Sequence, residues 1–530
     1  MIKNHFHFSI LFVLALSVFI VSCTPTSVQK NNSSVTESHL SEPPRVLAVW
    51  SQVVGESSDN ALTGLILPQV AMRFVVGANA DPSVCSVFSV SIKKQKNTTW
   101  MYMPEIKLQP RINTDNPFND ITVCEVSVPD SLKTQWFAAR LEYKGAVVRL
   151  DSKLVEGDTR QTVGKGFTSG KADNSFAMVY GPGSIGQRQK GEITAISIGD
   201  TGCRGLPKNS SARMMQACDE KSWPLSTIAE SAAALNPDLV LHVGDYRYFL
   251  EEEVSTDSWL YWQKDFFPAA QPLLLEAPWV FGRGNHEMCQ SGYFGRGYFQ
   301  LFGTESENEC VESLSPWFFD VAVGGLQSNN APHRFVIIDT NDDKAKSLTR
   351  HYQNAINMTR EPAGPKSVWW LTHIPAYDLL YYSGSFHTGD TGVRNALSDA
   401  TTERGPLCLA GKCSPSLFLL GHQHLYQHLN FIDSNNNAIF PQHYIVGHGG
   451  VKVDMSSPDN LHQTCSYDGF SFNGTQANTV TDTRTEHGFV YWQRSASTVD
   501  LPLGWRPTLY NEYGDIQSHP TGNVERCNPM

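Results

Sequence analysis

Residues 193–202 read ITAISIGDTG and residues 239–248 read LVLHVGDYRY, and in each stretch an apolar run ends in Gly-Asp. Both runs are short and apolar almost throughout, which is typical of strands that are buried on both faces. A glycine lets the chain turn sharply where such a strand ends. The two stretches therefore predict strands of an α/β layered domain, each with an aspartate at its carboxyl end.

Three further apolar runs end in polar side chains. They are WVFGRGNHE at 279–287, VWWLTH at 368–373 and LFLLGHQH at 417–424. Carboxylate, phenolate, amide and imidazole groups all bind metal ions, and α/β folds gather ligands at the carboxyl ends of their strands. One such ending alone is more often a turn or a capped loop, but five in one chain indicate a metal site.

The chain before residue 191 has a different pattern. From 45 to 190, short alternating apolar stretches are separated by Pro, Asn, Asp and Gly, which predicts a small all-β domain. From 191 to 500, strands alternate with helical patterns around 224–235, 258–267 and 344–358, which predicts the α/β domain. Residues 501–530 are interpreted as a C-terminal extension.

The amino terminus predicts export. Residues 8–21 are apolar, a run shorter than the roughly 20 residues that span a bilayer, so residues 1–22 are interpreted as a signal peptide. Ile20-Val21-Ser22-Cys23 resembles the bacterial lipoprotein box, in which the cysteine receives a lipid; a plain signal peptide with an incidental cysteine is the alternative. Residues 23–44 would be a flexible, lipid-anchored linker. The expected location is the periplasm or the cell surface, with the membrane contacted through the lipid on Cys23.

Ten of the eleven cysteines lie beyond Cys23, and an even number in an exported chain favours disulfides. Other connectivities stay open at this stage, because pairing cannot be deduced from sequence alone. The pairs suggested by sequence order are Cys85–Cys124, Cys203–Cys218, Cys289–Cys310, Cys408–Cys413 and Cys465–Cys527.

Composition limits the class of protein. With 530 residues, 41% of them hydrophobic and 18% charged, the chain can bury a sizeable core. The formal net charge is −11, and no Lys/Arg-rich stripe with interleaved aromatic residues offsets it. Nucleic acid is therefore not an expected partner.

The five motifs together resemble the calcineurin-like metallophosphoesterase superfamily, over roughly residues 191–450. Tyr248, three residues after the second aspartate, resembles the purple acid phosphatases within it. Many other branches have a histidine two residues after the first aspartate, where this chain has Gly202. The resemblance implies the metallophosphoesterase fold, a layered β-sandwich core flanked by helices, here preceded by the small all-β domain.

The resemblance also implies a centre of two metal ions. The expected ligands of the first ion, Fe(III), are Asp200, Asp245, Tyr248 and His424. The expected ligands of the second ion, a divalent Fe, Zn or Mn, are the bridging Asp245 with Asn285, His373 and His422. His286 would stabilise the transition state or protonate the leaving oxygen; the alternative is that it orients Glu287 or a ligand.

The activity implied by the resemblance is hydrolysis of small phosphate monoesters, with a metal-bound hydroxide as the nucleophile. A phosphodiesterase or nucleotidase using the same centre is the nearest alternative. A surface binding protein that keeps the scaffold without turnover, with the β-rich domain as its working part, is a third. The sequence does not predict an oligomeric state.

Overall fold

The structure is a computed structural model. It describes residues 44–56, 67–77, 81–94, 99–132, 134–148, 150, 176–181, 184–185, 191–204, 216, 218–219, 221–248, 257–290, 293–304, 309–322, 332–341, 345–360, 367–382, 385–453, 464–495, 504–518 and 525–527. The predicted signal peptide, Cys23 and residues 24–43 of the predicted linker lie outside the described residues. Among the helices that are described, none is both long enough and apolar enough to cross a membrane.

Two nine-stranded sheets form the body of the protein. In chain order, the strands of the described residues are β1 (Arg45–Glu56), β2 (Pro68–Gly77), β3 (Phe88–Lys94), β4 (Met101–Tyr102), β5 (Gln109–Pro110), β6 (Thr122–Ser127), β7 (Trp136–Tyr143), β8 (Ala146–Val147), β9 (Phe176–Tyr180), β10 (Glu192–Ile198), β11 (Leu239–His242), β12 (Trp279–Phe281), β13 (Trp317–Val321), β14 (His333–Ile337), β15 (Ser367–Leu371), β16 (Leu380–Tyr382), β17 (Ser385–His387), β18 (Cys408–Leu409), β19 (Lys412–Cys413), β20 (Leu417–Leu420), β21 (Tyr426–Ile432), β22 (Gln442–Val446), β23 (Cys465–Tyr467), β24 (Ser471–Phe472), β25 (Thr475–Gln476), β26 (Asn478–Arg484), β27 (Gly488–Ser495), β28 (Arg506–Asn511) and β29 (Glu525–Arg526).

The α-helices of the described residues are α1 (Leu225–Ala234), α2 (Trp259–Asp265), α3 (Phe267–Leu274), α4 (Gly295–Leu301), α5 (Ala345–Thr359) and α6 (Thr391–Arg404). The helices predicted around 224–235 and 344–358 agree with α1 and α5 to within one residue at each end. The helix predicted over 258–267 is instead α2 followed by the start of α3. The chain bends at Phe266, and Pro268, at the start of α3, cannot continue the hydrogen bonding of α2.

The two large sheets pack face to face. The first runs in the order β28-β27-β10-β11-β12-β1-β2-β6-β5 and the second in the order β13-β14-β15-β20-β22-β21-β26-β23-β29. Alternate residues of each strand point to opposite faces, so Trp369 joins the core between the sheets whereas Trp370 packs on the outer face beneath α5 and α6. Helices α1 to α4 cover the outer face of the first sheet. The predicted α/β layered sandwich flanked by helices is confirmed.

The described residues between 44 and 181 form strands and loops with two short 3-10 helices and no α-helix, in agreement with the predicted all-β character. A smaller sheet, β4-β3-β7-β8 with β9 paired to β7, packs against β1, β2 and β6 and encloses its own core. Strand β1 pairs with β2 and also, in parallel, with β12. Strands from both sides of the predicted boundary at residue 190 therefore lie in one sheet, and β28 of the predicted C-terminal extension lies at the edge of that sheet. The domain limits themselves stay predictions.

Disulfides close five loops in the structure. Their pairing follows sequence order: Cys85–Cys124, Cys203–Cys218, Cys289–Cys310, Cys408–Cys413 and Cys465–Cys527. Two of these bonds lie next to the strand ends that carry the predicted metal ligands, because Cys203 follows Asp200 by three residues and Cys289 follows Asn285 by four.

Arg73 on β2 ties the all-β region to the helical layer. Its side chain is fully buried, and its guanidinium donates to the carbonyl oxygens of Leu301 and Gly303, each at 2.8 Å. Its Nε also donates to Glu125 of β6 at 2.5 Å. The carbonyl groups at the carboxyl end of α4, which lack partners within the helix, thus receive donors from β2.

Replacing Arg73 by Ala should lower the free energy of unfolding by about 3 kcal/mol, because it leaves two buried carbonyl groups without their donor and leaves the Glu125 carboxylate with only the longer contact to Arg111, at 3.3 Å. Denaturant titration measures this loss. Arg506→Ala, at an exposed position on β28, is the matched control and should change stability by less than about 0.5 kcal/mol. Equal losses in the two variants would contradict the proposed tie.

Candidate metal centre

The five strand ends predicted from the sequence meet at one edge of the sandwich. Strands β10, β11 and β12 run parallel in the first sheet, and β14, β15, β20 and β22 run parallel in the second. The carboxyl ends therefore lie together within each sheet. The backbone N–H of His422, from the second sheet, donates to both carboxylate oxygens of Asp200, from the first, at 3.1 and 3.0 Å. This contact joins the two sets of strand ends.

One group of side chains surrounds the phenol of Tyr248. Its hydroxyl lies 2.8 Å from Asp200 Oδ1, 2.9 Å from Asp245 Oδ2 and 3.3 Å from His424 Nε2. A neutral phenol carries one proton and cannot satisfy two carboxylates at full strength. These four residues are the ones predicted to hold the first metal ion, and the structure brings them together.

The second group shares Asp245 with the first. His373 Nε2 lies 3.3 Å from Asp245 Oδ2 and 3.0 Å from Asn285 Oδ1, and His422 Nδ1 lies 2.8 Å from the same Asn285 oxygen. The other oxygen of Asp245, Oδ1, accepts the backbone N–H of His286 at 2.9 Å. Oδ2 is therefore the oxygen that faces both groups, as a bridging carboxylate requires.

The donor set fits a metal ion. His373 Nδ1 donates to the carbonyl oxygen of Val243 at 2.8 Å, which fixes the ring and directs Nε2 toward Asp245 and Asn285. Asp245, His373 and His422 offer ligand atoms within 4.8 Å of one another. Burial lowers the pKa of His373, but the charge and hydrogen bond of Asp245 outweigh it, so that the pKa rises to about 9. The oxygens of Asp245 and Asn285 both lie near His373 Nε2. In the metal-free protein they favour a proton on this nitrogen, and the same oxygens and imidazoles can bind a metal cation.

The pKa values of the two buried carboxylates are shifted in opposite directions. Burial raises the pKa of Asp200 to about 6. Burial acts on Asp245 in the same direction, but His373 and His286 outweigh it, and the pKa of Asp245 lies well below its usual value. Asp245 is therefore ionised across the physiological range, and in the metal-free protein its charge is balanced by the imidazolium of His373.

Three of the predicted ligands occupy strained backbone conformations. The φ angles of Asp200, Asp245 and His422 are 55°, 60° and 71°, in the left-handed region that residues with a Cβ avoid. Each costs about 1–2 kcal/mol and persists only where the surroundings fix it. Such strain is typical of functional sites and directs each side chain back over the end of its strand.

Glu287 holds part of this strained backbone in place through hydrogen bonds. Its fully buried carboxylate accepts the backbone N–H groups of Asp245 at 2.9 Å, of Tyr246 at 3.0 Å and of Gly284 at 3.0 Å. It thus holds the loop after β11 against the loop after β12. Burial, followed by the charge of Asp245, raises the pKa of Glu287 to about 8. The sequence shows Glu287 only as the neighbour of His286 and does not reveal this role.

The absence of a histidine at position 202 has a steric cause. A Cβ on Gly202 would lie 2.6 Å from the carbonyl oxygen of Tyr246 and 2.7 Å from the Cα of Arg247. No side chain fits there, because the loop that carries Tyr248 occupies the space. Gly202 and Tyr248 are therefore coupled through packing.

His286 lies at the rim of the site. Its side chain is part-buried, and its ring centroid is 4.4 Å from that of Tyr248. Burial lowers its pKa below the usual value, although Asp245 opposes the shift. At neutral pH the imidazole is therefore neutral and can donate one hydrogen bond. The catalytic role predicted for His286 and the ligand roles of the other seven residues stay predictions.

Asp378 and Gln423 connect two of the ligand loops and were not found by sequence reasoning. Asp378 lies five residues after His373, and Gln423 lies between His422 and His424. The Gln423 amide donates to the buried Asp378 carboxylate at 2.8 Å. Burial raises the pKa of Asp378 to about 7. The sequence holds no local signal for this pair, since its partners are 45 residues apart.

His242 supports the site from behind without facing it. Its Nδ1 accepts the backbone N–H of Gly244 at 3.1 Å, and its Nε2 lies 2.9 Å from the hydroxyl of Thr201. Its ring stacks on Tyr246, with the centroids 4.1 Å apart. His242 is therefore a structural residue that holds the turns after β10 and β11 together.

One protein family matches part of this chain by sequence. Residues 194–426 match the sequence model of the calcineurin-like phosphoesterase family. Among solved structures, one described as the structure of PhoD shares 10% identity at a TM-score of 0.45, with 92% of this chain and 95% of that chain covered. The calcineurin-like phosphoesterase YfkN from Bacillus subtilis shares 10% identity at a TM-score of 0.28, with 62% and 93% covered. A search of curated proteins gave no match.

The raised pKa of Asp378 predicts that the stability of the protein depends on pH. Because its folded-state pKa is raised to about 7, its contribution to stability is complete below pH 4 and is lost as the pH rises through 7. Asp378→Asn removes this titration. The stability of the variant relative to the unsubstituted protein should therefore increase between pH 5 and pH 8, measured by denaturant unfolding at both values. Asp399→Asn, at an exposed position on α6, should show no such change, and identical pH dependence of the two variants would contradict the assignment.

Proposed function

We propose that the protein hydrolyses phosphate monoesters at a dinuclear metal centre, because residues 194–426 match the calcineurin-like phosphoesterase family, whose members are metal-dependent phosphoester hydrolases. The observation that carries the proposal is the position of Asp245 Oδ2, which lies 2.9 Å from the Tyr248 hydroxyl and 3.3 Å from His373 Nε2. One carboxylate oxygen thus serves two adjacent groups of donors, the arrangement needed to hold two cations close together.

In this proposal the seven ligands divide into two sets. The first set is Asp200, Asp245, Tyr248 and His424, and the second is Asp245, Asn285, His373 and His422. The first set offers carboxylates and a phenol, which suit Fe(III), and the second offers imidazoles and an amide oxygen, which suit a divalent Fe, Zn or Mn. When bound, the two ions supply Lewis-acid chemistry, neutralising charge on the phosphoryl oxygens and activating the attacking water.

The protein's own residues orient the reaction. The Val243 carbonyl fixes the His373 ring, Glu287 fixes the loop of Asp245, and Asp245 Oδ1 fixes the backbone of His286. His286 is part-buried at the rim, where a substrate oxygen can approach. As a neutral imidazole it donates a hydrogen bond to that oxygen, and at acidic pH it can protonate the leaving group.

We also propose that the protein is exported and anchored by a lipid on Cys23. The five disulfides support this location, because such bonds persist in oxidising compartments. A chain of this kind would act on small phosphate esters outside the cytoplasm.

Parallel assays test the reaction. The metal-loaded protein should hydrolyse p-nitrophenyl phosphate in preference to bis(p-nitrophenyl) phosphate, and a chelator should abolish the activity. Asp245→Asn should lower kcat by about 100-fold or more, because it weakens both metal sites at once, while Asp399→Asn should not change it. Preference for the bis-ester would instead indicate a phosphodiesterase. A metal-loaded protein without activity on any phosphate ester would favour the surface binding protein.

Spectroscopy tests the first metal. A Tyr248 phenolate on Fe(III) should give a visible charge-transfer band, and Tyr248→Phe should remove it. Tyr293→Phe is the matched control, because Tyr293 lies beside His286, with ring centroids 6.4 Å apart, and should leave the band unchanged. Elemental analysis of both variants measures the iron. A colourless, iron-free and fully active protein would refute the iron assignment and leave the hydrolytic function intact.

A further inference from the structure

Arg204 lies beside the candidate metal centre and has no part in the ligand sets. It follows the first ligand, Asp200, by four residues, and its guanidinium carbon is 5.9 Å from the centroid of the Tyr248 ring. His286 lies 4.4 Å from the same ring. Arg204 and His286 are thus both close to Tyr248 at the rim.

The guanidinium of Arg204 has no carboxylate partner among the described residues. This sets it apart from most of the buried arginines, whose charges are balanced within the fold. The pairs are Arg73–Glu125, Arg247–Asp257, Arg283–Asp339 and Arg334–Asp320. Arg204 is only part-buried, so its positive charge is available to an anion that enters the site.

The backbone of Arg204 is firmly held. Its N–H donates to Gln216 Oε1 and its carbonyl oxygen accepts the Gln216 N–H, each at 3.0 Å. The preceding Cys203 is joined to Cys218 by a disulfide. The Gln216 amide in turn donates to the carbonyl oxygen of Gly450 at 3.0 Å, which links the Arg204 segment to the loop after β22. A side chain on such a fixed backbone loses less freedom when it binds a ligand.

The shape and charge of the Arg204 guanidinium indicate which kind of phosphate ester it would bind. Its planar fork binds two oxygens of one phosphoryl group, and this geometry favours arginine over lysine. A phosphate monoester presents three non-bridging oxygens and carries up to two negative charges, whereas a diester presents two such oxygens and carries one. An additional cation at the rim therefore favours the monoester.

We propose that Arg204 is a substrate-binding residue that contacts non-bridging oxygens of the phosphoryl group and gives the site its preference for monoesters. The inference rests on the proposed phosphoesterase function and adds to it a residue outside the metal ligands. Because Arg204 acts on the substrate and not on the metal ions, its removal should leave the metal content unchanged.

The test compares Arg204→Ala, Arg204→Lys and the unsubstituted protein, all metal-loaded. Arg204→Ala should lower kcat/KM for p-nitrophenyl phosphate by about 10- to 100-fold, the loss expected for a hydrogen bond to a charged group, and should lower it less for bis(p-nitrophenyl) phosphate. Arg204→Lys should recover part of the monoester activity, because it restores the charge without the fork. Inorganic phosphate should inhibit Arg204→Ala more weakly by a similar factor. Arg506→Ala is the control and should match the unsubstituted protein.

The outcomes separate this inference from the function on which it rests. Equal losses on both substrates, or an unchanged monoester-to-diester ratio, would overturn the role of Arg204 while the activity of the unsubstituted protein still supports the function. An inactive unsubstituted protein would overturn the function. Calorimetric titration of the metal-loaded proteins with inorganic phosphate then tests Arg204 alone, and equal affinity in Arg204→Ala and the unsubstituted protein would refute its role.

Discussion

The backbone N–H of His422 donates to the carboxylate of Asp200 across the boundary between the two large sheets, at 3.0 to 3.1 Å. Each sheet by itself carries part of the candidate metal centre at the carboxyl ends of its parallel strands. Face-to-face packing places these ends side by side, and this hydrogen bond is one of the contacts that join them. His373 Nδ1, from the second sheet, donates to the carbonyl oxygen of Val243, from the first, at 2.8 Å. The candidate centre is therefore a property of the sandwich and not of either sheet.

At this edge, hydrogen bonds from a buried side chain stabilise backbone conformations that are strained. Asp200, Asp245 and His422 adopt left-handed backbone conformations that each cost about 1–2 kcal/mol. The buried carboxylate of Glu287 binds three backbone N–H groups of the adjoining loops and keeps Asp245 in its conformation. The protein thus holds a cluster of acceptor atoms in place before any cation arrives, and a preorganised cluster loses little free energy in reorganisation when it binds one.

Tyr248 links the metal centre to substrate recognition in the proposed enzyme. Its hydroxyl contacts both aspartates, while its ring lies 4.4 Å from the ring of His286 and 5.9 Å from the guanidinium carbon of Arg204. The loop that brings Tyr248 to this place also fills the space around Gly202, so a histidine at 202 and this loop conformation exclude each other. The conformation of this one loop therefore sets the position of one predicted metal ligand, Tyr248, and excludes a histidine at position 202.

The sequence by itself determines the strands, the chemical types of the ligands and the side of the sheets on which they lie. Apolar periodicity is local, and the residue that follows a buried parallel strand must emerge at the carboxyl edge, so Asp200, Asp245, Asn285, His373 and His422 could all be predicted. The all-β character of residues 45–181 follows from the same kind of pattern. The break between α2 and α3 was missed because the apolar pattern of residues 258–267 continues through Phe266, where the backbone leaves the helical conformation.

Tertiary structure alone decided the rest, because it depends on contacts between residues far apart in the chain. The pairing of β1 with β12, the anchoring of Glu125 and α4 by Arg73, and the link between Asp378 and Gln423 join segments whose sequences carry no mark of each other. No local pattern in the sequence distinguishes Arg204. Only the folded chain places it beside Tyr248 without a carboxylate partner among the described residues, since position and neutralisation of charge are set by packing and not by local pattern.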